Sequence, residues 1–440
     1  LLHRRAAHVL EQQQERQVEY TAVIAAHYEE AGDYSEAIAG YRQAAVEAQA
    51  INAFPIAAGY LRKALELLPA GDDSDGMRSD LLDRLGDCLR LTAQFEGALE
   101  LYEQALSITP GDEALARARI LRKTAETLWP MNRTAEGLEV SNQAAKELEP
   151  LLRENGVNAA PEWVNVHLVM AWLNYWSLDP DGILASLAEI KPLLDKPGFV
   201  EQKQRFLAYS SLGEYLRLRY RPESSSVDIF RQHFEIAKQE ENLFLIADTE
   251  FRLGFTLLWR GDLAAAREYL AHSQGICEEL AVHLLWVQNA TYLMVAARLM
   301  GDEEAVANQY SQERQKIEKI GSLVYISTMH AMGSWLAYRE RNIERAINEA
   351  QKAVIAWERI PIPFQWLARW VLLAVALKED RLEDAVVEAR AMTTPPQHLQ
   401  DEPVNEALET AVSLWDNGQT AAAQEALAQA KFLAEEANYL

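Results

Sequence analysis

The chain repeats one short phrase, in which a polar turn is followed five residues later by a small residue. Gly32 precedes Ala37 in this way, and Gly261 precedes Ala266. In the second half the small position recurs at steps of 40, 40, 39 and 38 residues, at Ala266, Val306, Ala346, Ala385 and Ala423. A fixed period of this length is typical of repeat proteins, in which each repeat packs only on its neighbours. The period therefore constrains the fold more than any local pattern does.

The clearest single copy of the repeat ends at Pro110. It follows the tetratricopeptide pattern, in which small residues let two antiparallel helices approach and an aromatic ring fills the gap beside them. The matching residues are Leu85, Gly86, Leu89, Ala98, Tyr102, Ala105 and Pro110. The sequence thus predicts an all-α fold, a right-handed α-solenoid of tetratricopeptide-like helix pairs with a period of about 40 residues and about eleven second helices.

We expect one continuous superhelix over residues 1–440, with early repeats in 1–150 and middle and late repeats in 151–440. The start is irregular, because Ala57 opens another second-helix pattern only 20 residues after Ala37. Two proline-containing segments, Pro361 to Pro363 and Thr393 to Pro396, are expected to form tight corners between repeats.

Composition excludes several classes of function. With 66 acidic and 42 basic side chains the formal charge is −24, which repels a nucleic-acid backbone. Cys88 and Cys277 lie far apart and have no metal-ligand spacing, so neither a disulfide framework nor a zinc site is expected. No apolar run is long enough for a membrane span, and no signal peptide pattern is present. We expect a cytoplasmic protein without a direct nucleic-acid or membrane partner.

The early part of the chain resembles a known family. Residues 2–7, 25–33, 37–38 and 60–69 are similar to the junction after the ATPase module in bacterial AAA or STAND-type signalling ATPases, which accompany cyclase, kinase or LuxR-type domains. The later repeats resemble the family as an array of similar period, like the sensor arm of the maltose-operon activator. The resemblance implies a regulatory arm whose partner is the ATPase domain of the same chain. Because the chain opens on leucine within a helical pattern, we expect it to begin inside a longer protein.

No catalytic, cofactor-binding or metal-binding residue is assigned. The sequence has no phosphate-binding G-x-x-x-x-G-K-[ST] motif and no basic helix-turn-helix. Its nine histidines form no set with a nucleophile and an acid. We therefore expect no enzyme activity in these residues; any ATPase, cyclase or kinase activity is expected outside them.

Aromatic side chains recur on the predicted first helices, at positions found by counting back from the small residue of each second helix. In tetratricopeptide arrays, which these repeats resemble, such positions of the first helices form the concave wall, so the resemblance implies that these side chains lie on that wall. The predicted groove residues are Trp129, Trp172, Tyr175, Trp176, Phe251, Phe255, Trp259, Arg298, Trp335, Tyr338, Arg339 and Trp370. Such a wall suits a small ligand or a partner, because rings stack and arginines fix polar groups. The alternative is that the rings fill wide gaps between helices.

A second local feature is the alternation of Arg217, Arg219 and Arg221 with apolar residues. The cluster suits either a bound phosphate or carboxylate, or ion pairs with neighbouring acids. Taken together, the sequence predicts a regulatory sensor and protein-interaction module of a multidomain signalling ATPase, with a ligand or partner in its groove. The alternative is a passive protein-binding scaffold.

Overall fold

A computed structural model describes residues 2–11, 18–69, 71, 74–155, 158–196, 198–240 and 242–440. In these ranges the chain forms 22 α-helices and no strand. The helices are α1 Leu2–Glu11, α2 Val18–Ala31, α3 Tyr34–Ala50, α4 Phe54–Leu67, α5 Asp75–Leu91, α6 Phe95–Ile108, α7 Ala114–Leu128, α8 Thr134–Asn155, α9 Ala160–Trp176, α10 Pro180–Ile190, α11 Val200–Arg217, α12 Ser224–Gln239, α13 Leu243–Arg260, α14 Leu263–Glu279, α15 His283–Leu299, α16 Glu303–Ile320, α17 Leu323–Arg339, α18 Ile343–Trp357, α19 Trp366–Lys378, α20 Leu382–Thr393, α21 Glu402–Asp416 and α22 Thr420–Glu436. The predicted helical solenoid is confirmed.

Small residues hold the helix pairs together, as the repeat pattern predicts. The small positions of the second helices, among them Ala98, Ala266 and Ala346, have no exposed surface. A Cβ atom on Gly86 would lie 2.5 Å from the ring of Tyr102, so α5 and α6 approach as closely as a glycine allows. Such close contact lets the buried apolar surfaces interdigitate. None of the helices described here is long and apolar enough to cross a membrane.

From α5 onward the odd-numbered helices up to α19 form one layer, in which α5, α7, α9 and α11 contact one another in succession, as do α13, α15, α17 and α19. Ion pairs join their facing sides at steps of about one repeat. Lys123 of α7 binds Asp83 of α5 at 2.8 Å, and Arg122 of α7 binds Glu162 of α9 at 2.6 Å. This layer is the inner layer of the solenoid, and it carries the side chains predicted to line the groove.

The irregular start has a structural explanation. Gln49 of α3 donates a hydrogen bond to Cys88 of α5 at 3.4 Å, whereas Lys63 of α4 lies 3.6 Å from Glu29 of α2. Helix α3 therefore lies in the layer of α5, although Ala37 marks it as the second helix of α2. Helix α3 is thus the second helix of the pair with α2 and the first helix of the pair with α4. This is why Ala57 follows Ala37 after only 20 residues.

A long-range contact joins the turn after α11 to the connection between α20 and α21. The guanidinium of Arg219 donates to the carbonyl oxygens of Gln397 at 2.6 Å and Thr393 at 2.8 Å. Arg221 donates to the carbonyl of Gln400. The two arginines thus bind backbone, which neither sequence interpretation of the cluster included. Of the three arginines, only Arg217 forms ion pairs with acids in the described ranges, with Asp181 at 2.9 Å and Glu214 at 3.8 Å.

Two glycine substitutions test the role of close helix contact. Gly86→Ala should lower the free energy of unfolding by about 1–3 kcal/mol, because the new methyl group overlaps Tyr102. Gly59→Ala is the control: it lies in α4, nothing is within 4 Å of its added Cβ, and it should raise stability by about 0.5–1 kcal/mol. Guanidinium unfolding measures both. Equal effects of the two changes would contradict the packing argument.

Candidate ligand-binding cavity

Side chains mainly from the inner-layer helices between α5 and α15, with Phe95 of α6 and His233 of α12, line a half-open cavity of about 410 Å³. This volume lies in the range of small-molecule sites. The lining alternates between aromatic rings and charged groups, whose members include Glu126, Trp172, Arg205, Tyr209, Asp248 and Phe251. The cavity therefore combines surfaces for stacking with groups that can orient a polar ligand.

Trp172 is the centre of the aromatic lining. Its ring lies edge-on to Trp129, with centroids 5.5 Å apart, and stacks on Tyr209 at 5.8 Å. Trp176 in turn stacks on Trp129 at 4.7 Å. Offset and edge-to-face contacts of this kind stabilise aromatic clusters beyond their buried area. The rings from α9 and α11, together with Trp129 just after α7, are thereby held in fixed orientations.

A smaller compartment of about 40 Å³ adjoins the main cavity. The two share Trp172, Phe251, Arg252 and Gln288 as lining residues. The remaining walls of the smaller compartment are largely rings, among them Tyr175, Trp176, Phe255 and Tyr292. We call this space the inner compartment. Its apolar character contrasts with the charged main cavity.

Phe364, in the connection between α18 and α19, closes the far side of the inner compartment. Its ring lies 6.4 Å from those of Phe255 and Tyr292 and stacks on Trp259 at 4.1 Å with an interplanar angle of 4°. A cleft beyond Trp259 shares no lining residue with the inner compartment. The cavity is therefore closed at this end.

Two expected corners thus have a larger role than joining repeats. The segment with Pro361 and Pro363 carries Phe364 inward, and the segment after Thr393 carries His398, whose ring is 4.8 Å from Trp259. The backbone N–H of His398 donates to the carbonyl of Pro363 at 2.8 Å, so the two connections support each other.

Charged groups of the main cavity are mostly paired. Glu126 is bound by Arg122 at 2.6 Å and by Arg90 at 3.6 Å. Burial alone would raise the pKa of this carboxyl, but the surrounding arginines outweigh it and lower the pKa to about 2. Asp248 accepts from Arg252 at 2.8 Å. Glu126 is therefore ionised at neutral pH, and both carboxylates are bound by arginines.

Arg205 differs from these arginines. It lines the cavity with its guanidinium 5.8 Å from the ring centroid of Tyr209, and it forms no ion pair with any acid in the described part of the chain. Stacking on an aromatic face positions a guanidinium while leaving its N–H groups free to donate.

The structure brings seven of the twelve predicted groove residues to this region. Trp129, Trp172 and Phe251 line the main cavity, and Tyr175, Trp176 and Phe255 line the inner compartment. Trp259 lies at the closed end. These seven residues form the candidate site.

The other five lie elsewhere. Trp335 and Trp370 are fully buried, as is Arg298, which sits between the rings of Trp335 and Trp366 and donates to the carbonyl of Leu367 at 2.7 Å. Arg339 pairs with Glu303 near the surface, and Tyr338 is half-buried beside the core. For the three buried residues the structure matches the alternative in which large side chains fill gaps between helices, because α15 and α17 here pack against α19.

Sequence reasoning missed Arg205 and Tyr209, although they lie on an inner-layer helix. The cause is the length of the connection from α11 to α12, which covers 218–223, whereas only 261–262 separate α13 from α14. Counting back from the small residue of α12 by the regular spacing therefore reaches the wrong positions on α11. Arg252 lies beside Phe251 on the same helix and four residues after Asp248. Opposite charges at this i,i+4 spacing indicate an ion pair on one helix face, and the sequence alone shows the spacing.

Comparisons with known proteins identify a fold rather than a family. No protein-family model matches the chain, and no curated protein is similar to it in sequence. A Rap protein crystallised in complex with competence and sporulation factor is 14% identical, with a TM-score of 0.54, over 90% of this chain and 99% of the Rap chain. The apo form of RapI is 11% identical, with a TM-score of 0.47, over 81% and 98% of the two chains.

A third solved structure is a signal transduction ATPase with numerous domains from Pyrococcus horikoshii, which has a tetratricopeptide repeat sensor. It is 11% identical, with a TM-score of 0.44, over 81% of this chain and 52% of that one. The fold is that of tetratricopeptide-like repeat proteins. Identity this low shows the fold alone, so similarity to the maltose-operon activator stays a prediction.

The buried His398 makes stability depend on pH. Burial, reinforced by the nearby Arg221 and Arg219, lowers the pKa of this imidazole to about 3. In the unfolded chain the pKa is about 6.5. Between these values the unfolded chain binds one more proton, so the neutral histidine contributes stability above pH ~6.5 that is lost as pH falls, by about 1.4 kcal/mol per unit.

We predict that His398→Phe flattens the dependence of the melting temperature on pH between about 5 and 7. The control is His8→Gln on the exposed face of α1, which should keep the wild-type slope. Melting curves followed by circular dichroism measure both. Parallel curves for wild type and His398→Phe would contradict the buried, neutral state of this histidine.

Proposed function

We propose that this chain is a sensor and protein-interaction module that binds a small ligand in the cavity on its concave side. The observation that carries the proposal is a cavity of about 410 Å³ with an aromatic wall, a closed end and one arginine without a carboxylate partner. Concave, largely apolar cavities with a few convergent polar groups are the usual form of ligand sites.

The closed end favours a small ligand over the passive scaffold. A scaffold that holds an extended polypeptide needs a groove that is open at both ends. Here Phe364 and Trp259 stack across one end. The scaffold stays the second candidate, because a partner protein can also bind the outer helices.

A ligand in this position contacts several repeats at once, and this suits a regulatory role. The cavity is lined by helices from α5 to α15, so a bound molecule bridges elements that otherwise contact only their neighbours. Such bridging shifts the curvature of the solenoid if the ligand binds one curvature more tightly than another. We propose that this change is read by a partner protein or by an ATPase domain of the same chain, in the cytoplasm.

The Rap protein of similar fold was crystallised with competence and sporulation factor. We take from it only that this fold is compatible with a bound effector. Which ligand this chain binds is set by its own cavity residues.

The test is a thermal-shift screen of small metabolites, read together with tryptophan fluorescence. At a concentration of 100 times Kd a ligand should add about 2.7 kcal/mol and raise the melting temperature by about 3 °C. Trp172→Ala should weaken binding about tenfold or more, because Trp172 lines both compartments.

Trp415→Ala in α21 is the matched control, since this half-buried tryptophan lines neither compartment. It should leave ligand affinity unchanged. If every ligand that stabilises the protein binds Trp172→Ala and wild type equally, the cavity is not the site and the scaffold is the better account.

A further inference from the structure

Three arginines and three acids line the main cavity. Arg122 and Arg90 both bind the carboxylate of Glu126, and Arg252 is held by Asp248. Arg205 forms no ion pair within the described ranges. In a chain with 66 acidic and 42 basic side chains, a cation in a cavity without a partner acid is a notable feature.

The acids near Arg205 do not replace such a partner. Glu126 is already held by two other arginines. Glu201, one turn earlier on α11, is exposed at the rim of the cavity and forms no ion pair with Arg205. Burial disfavours the charged form of Arg205, but nearby Tyr209, Glu126 and Glu201 outweigh it and raise the pKa of this guanidinium. An anion placed on it would gain charge-assisted hydrogen bonds in a partly desolvated site.

A continuous aromatic path leads from Arg205 to the inner compartment. Arg205 lies over Tyr209, and Tyr209 stacks on Trp172 at 5.8 Å with an interplanar angle of 27°. Trp172 is shared by both compartments. The guanidinium of Arg252 lies 5.4 Å from the ring centroid of Trp172 and 5.9 Å from that of Tyr209. A ligand between Arg205 and the inner compartment therefore contacts the ring surface that these two arginines leave uncovered.

The inner compartment has few groups that would stabilise a second charge on the ligand. Its walls are mostly aromatic, and the only charged residue among them, Arg252, is bound to Asp248. The indole N–H of Trp176 is buried without an acceptor among the described residues. With about 40 Å³ of space, this compartment therefore suits a small apolar group that carries at most a neutral acceptor.

We propose that the ligand class of this cavity is an amphiphilic organic anion: its anionic group binds Arg205, and its flat apolar body lies in the main cavity against Tyr209 and Trp172, at the mouth of the inner compartment. The inference rests on the proposed function and narrows it to one ligand chemistry. Arg205 acts as the specificity residue, and the aromatic rings supply affinity shared by charged and neutral ligands.

Two dyes with the same aromatic body test the anionic group directly. Anilinonaphthalene sulfonate carries a sulfonate, and N-phenylnaphthylamine lacks it. Both are titrated into the full chain, with energy transfer from tryptophan as the signal. Wild type should bind the sulfonate dye about tenfold more tightly than the neutral dye, since one charge-assisted contact is added.

Substitutions at Arg205 separate charge from shape. Arg205→Gln should raise the Kd of the sulfonate dye about tenfold and leave that of the neutral dye unchanged, whereas Arg205→Lys should retain most of the difference. Arg153→Gln, on an exposed part of α8, is the control and should change neither Kd. Melting temperatures show that each variant is folded.

Each outcome decides one of the two proposals. If Arg205→Gln leaves the Kd of the sulfonate dye unchanged while Trp172→Ala weakens both dyes, the anionic ligand class is wrong and the cavity stands. If Trp172→Ala weakens neither dye, or if neither dye binds, both proposals are overturned. A selective loss of the sulfonate dye in Arg205→Gln supports both.

Discussion

The close approach of helices at glycine and alanine positions is the constraint on which the rest of the structure depends. At Gly86 the ring of Tyr102 occupies the space that a Cβ would need, and the alanines of the second helices are fully buried. Because each pair meets at the same small positions, successive first helices present equivalent faces to the concave side. The ion pair between Asp83 and Lys123 on neighbouring first helices follows from this regular arrangement. So does the position of Trp172 in the lining of the cavity.

A regular array alone would leave an open groove. This chain departs from regularity in the connections after α18 and α20, which fold inward and place Phe364 and His398 against Trp259. Arg219, in the turn after α11, fixes the second connection through hydrogen bonds to its backbone carbonyls. The cost of ordering these connections is offset by stacking and by hydrogen bonds to buried carbonyls, and the result is a cavity with one closed end.

Local patterns predicted the fold but only part of the site. The repeat period identified the solenoid, and counting from regular second helices placed Trp129, Trp172 and Phe251 correctly beside the cavity. The same count failed at Arg205, where a longer connection shifts the register. The count also did not predict that Trp335 and Trp370 are buried, because their burial depends on α19 and on segments far along the chain. Pairings such as Arg219 with Gln397 join residues too distant for any periodicity to reveal.

Hydrogen exchange of the full chain tests the central claim, that the concave cavity is the ligand site, most directly. The chain is compared with and without saturating anilinonaphthalene sulfonate, and exchange is resolved by peptide. The account predicts slower exchange in α9, α11 and α13, whose side chains line both compartments, with little change in the outer helices α14 and α16. Slower exchange confined to the outer helices, with α9, α11 and α13 unchanged, would contradict it.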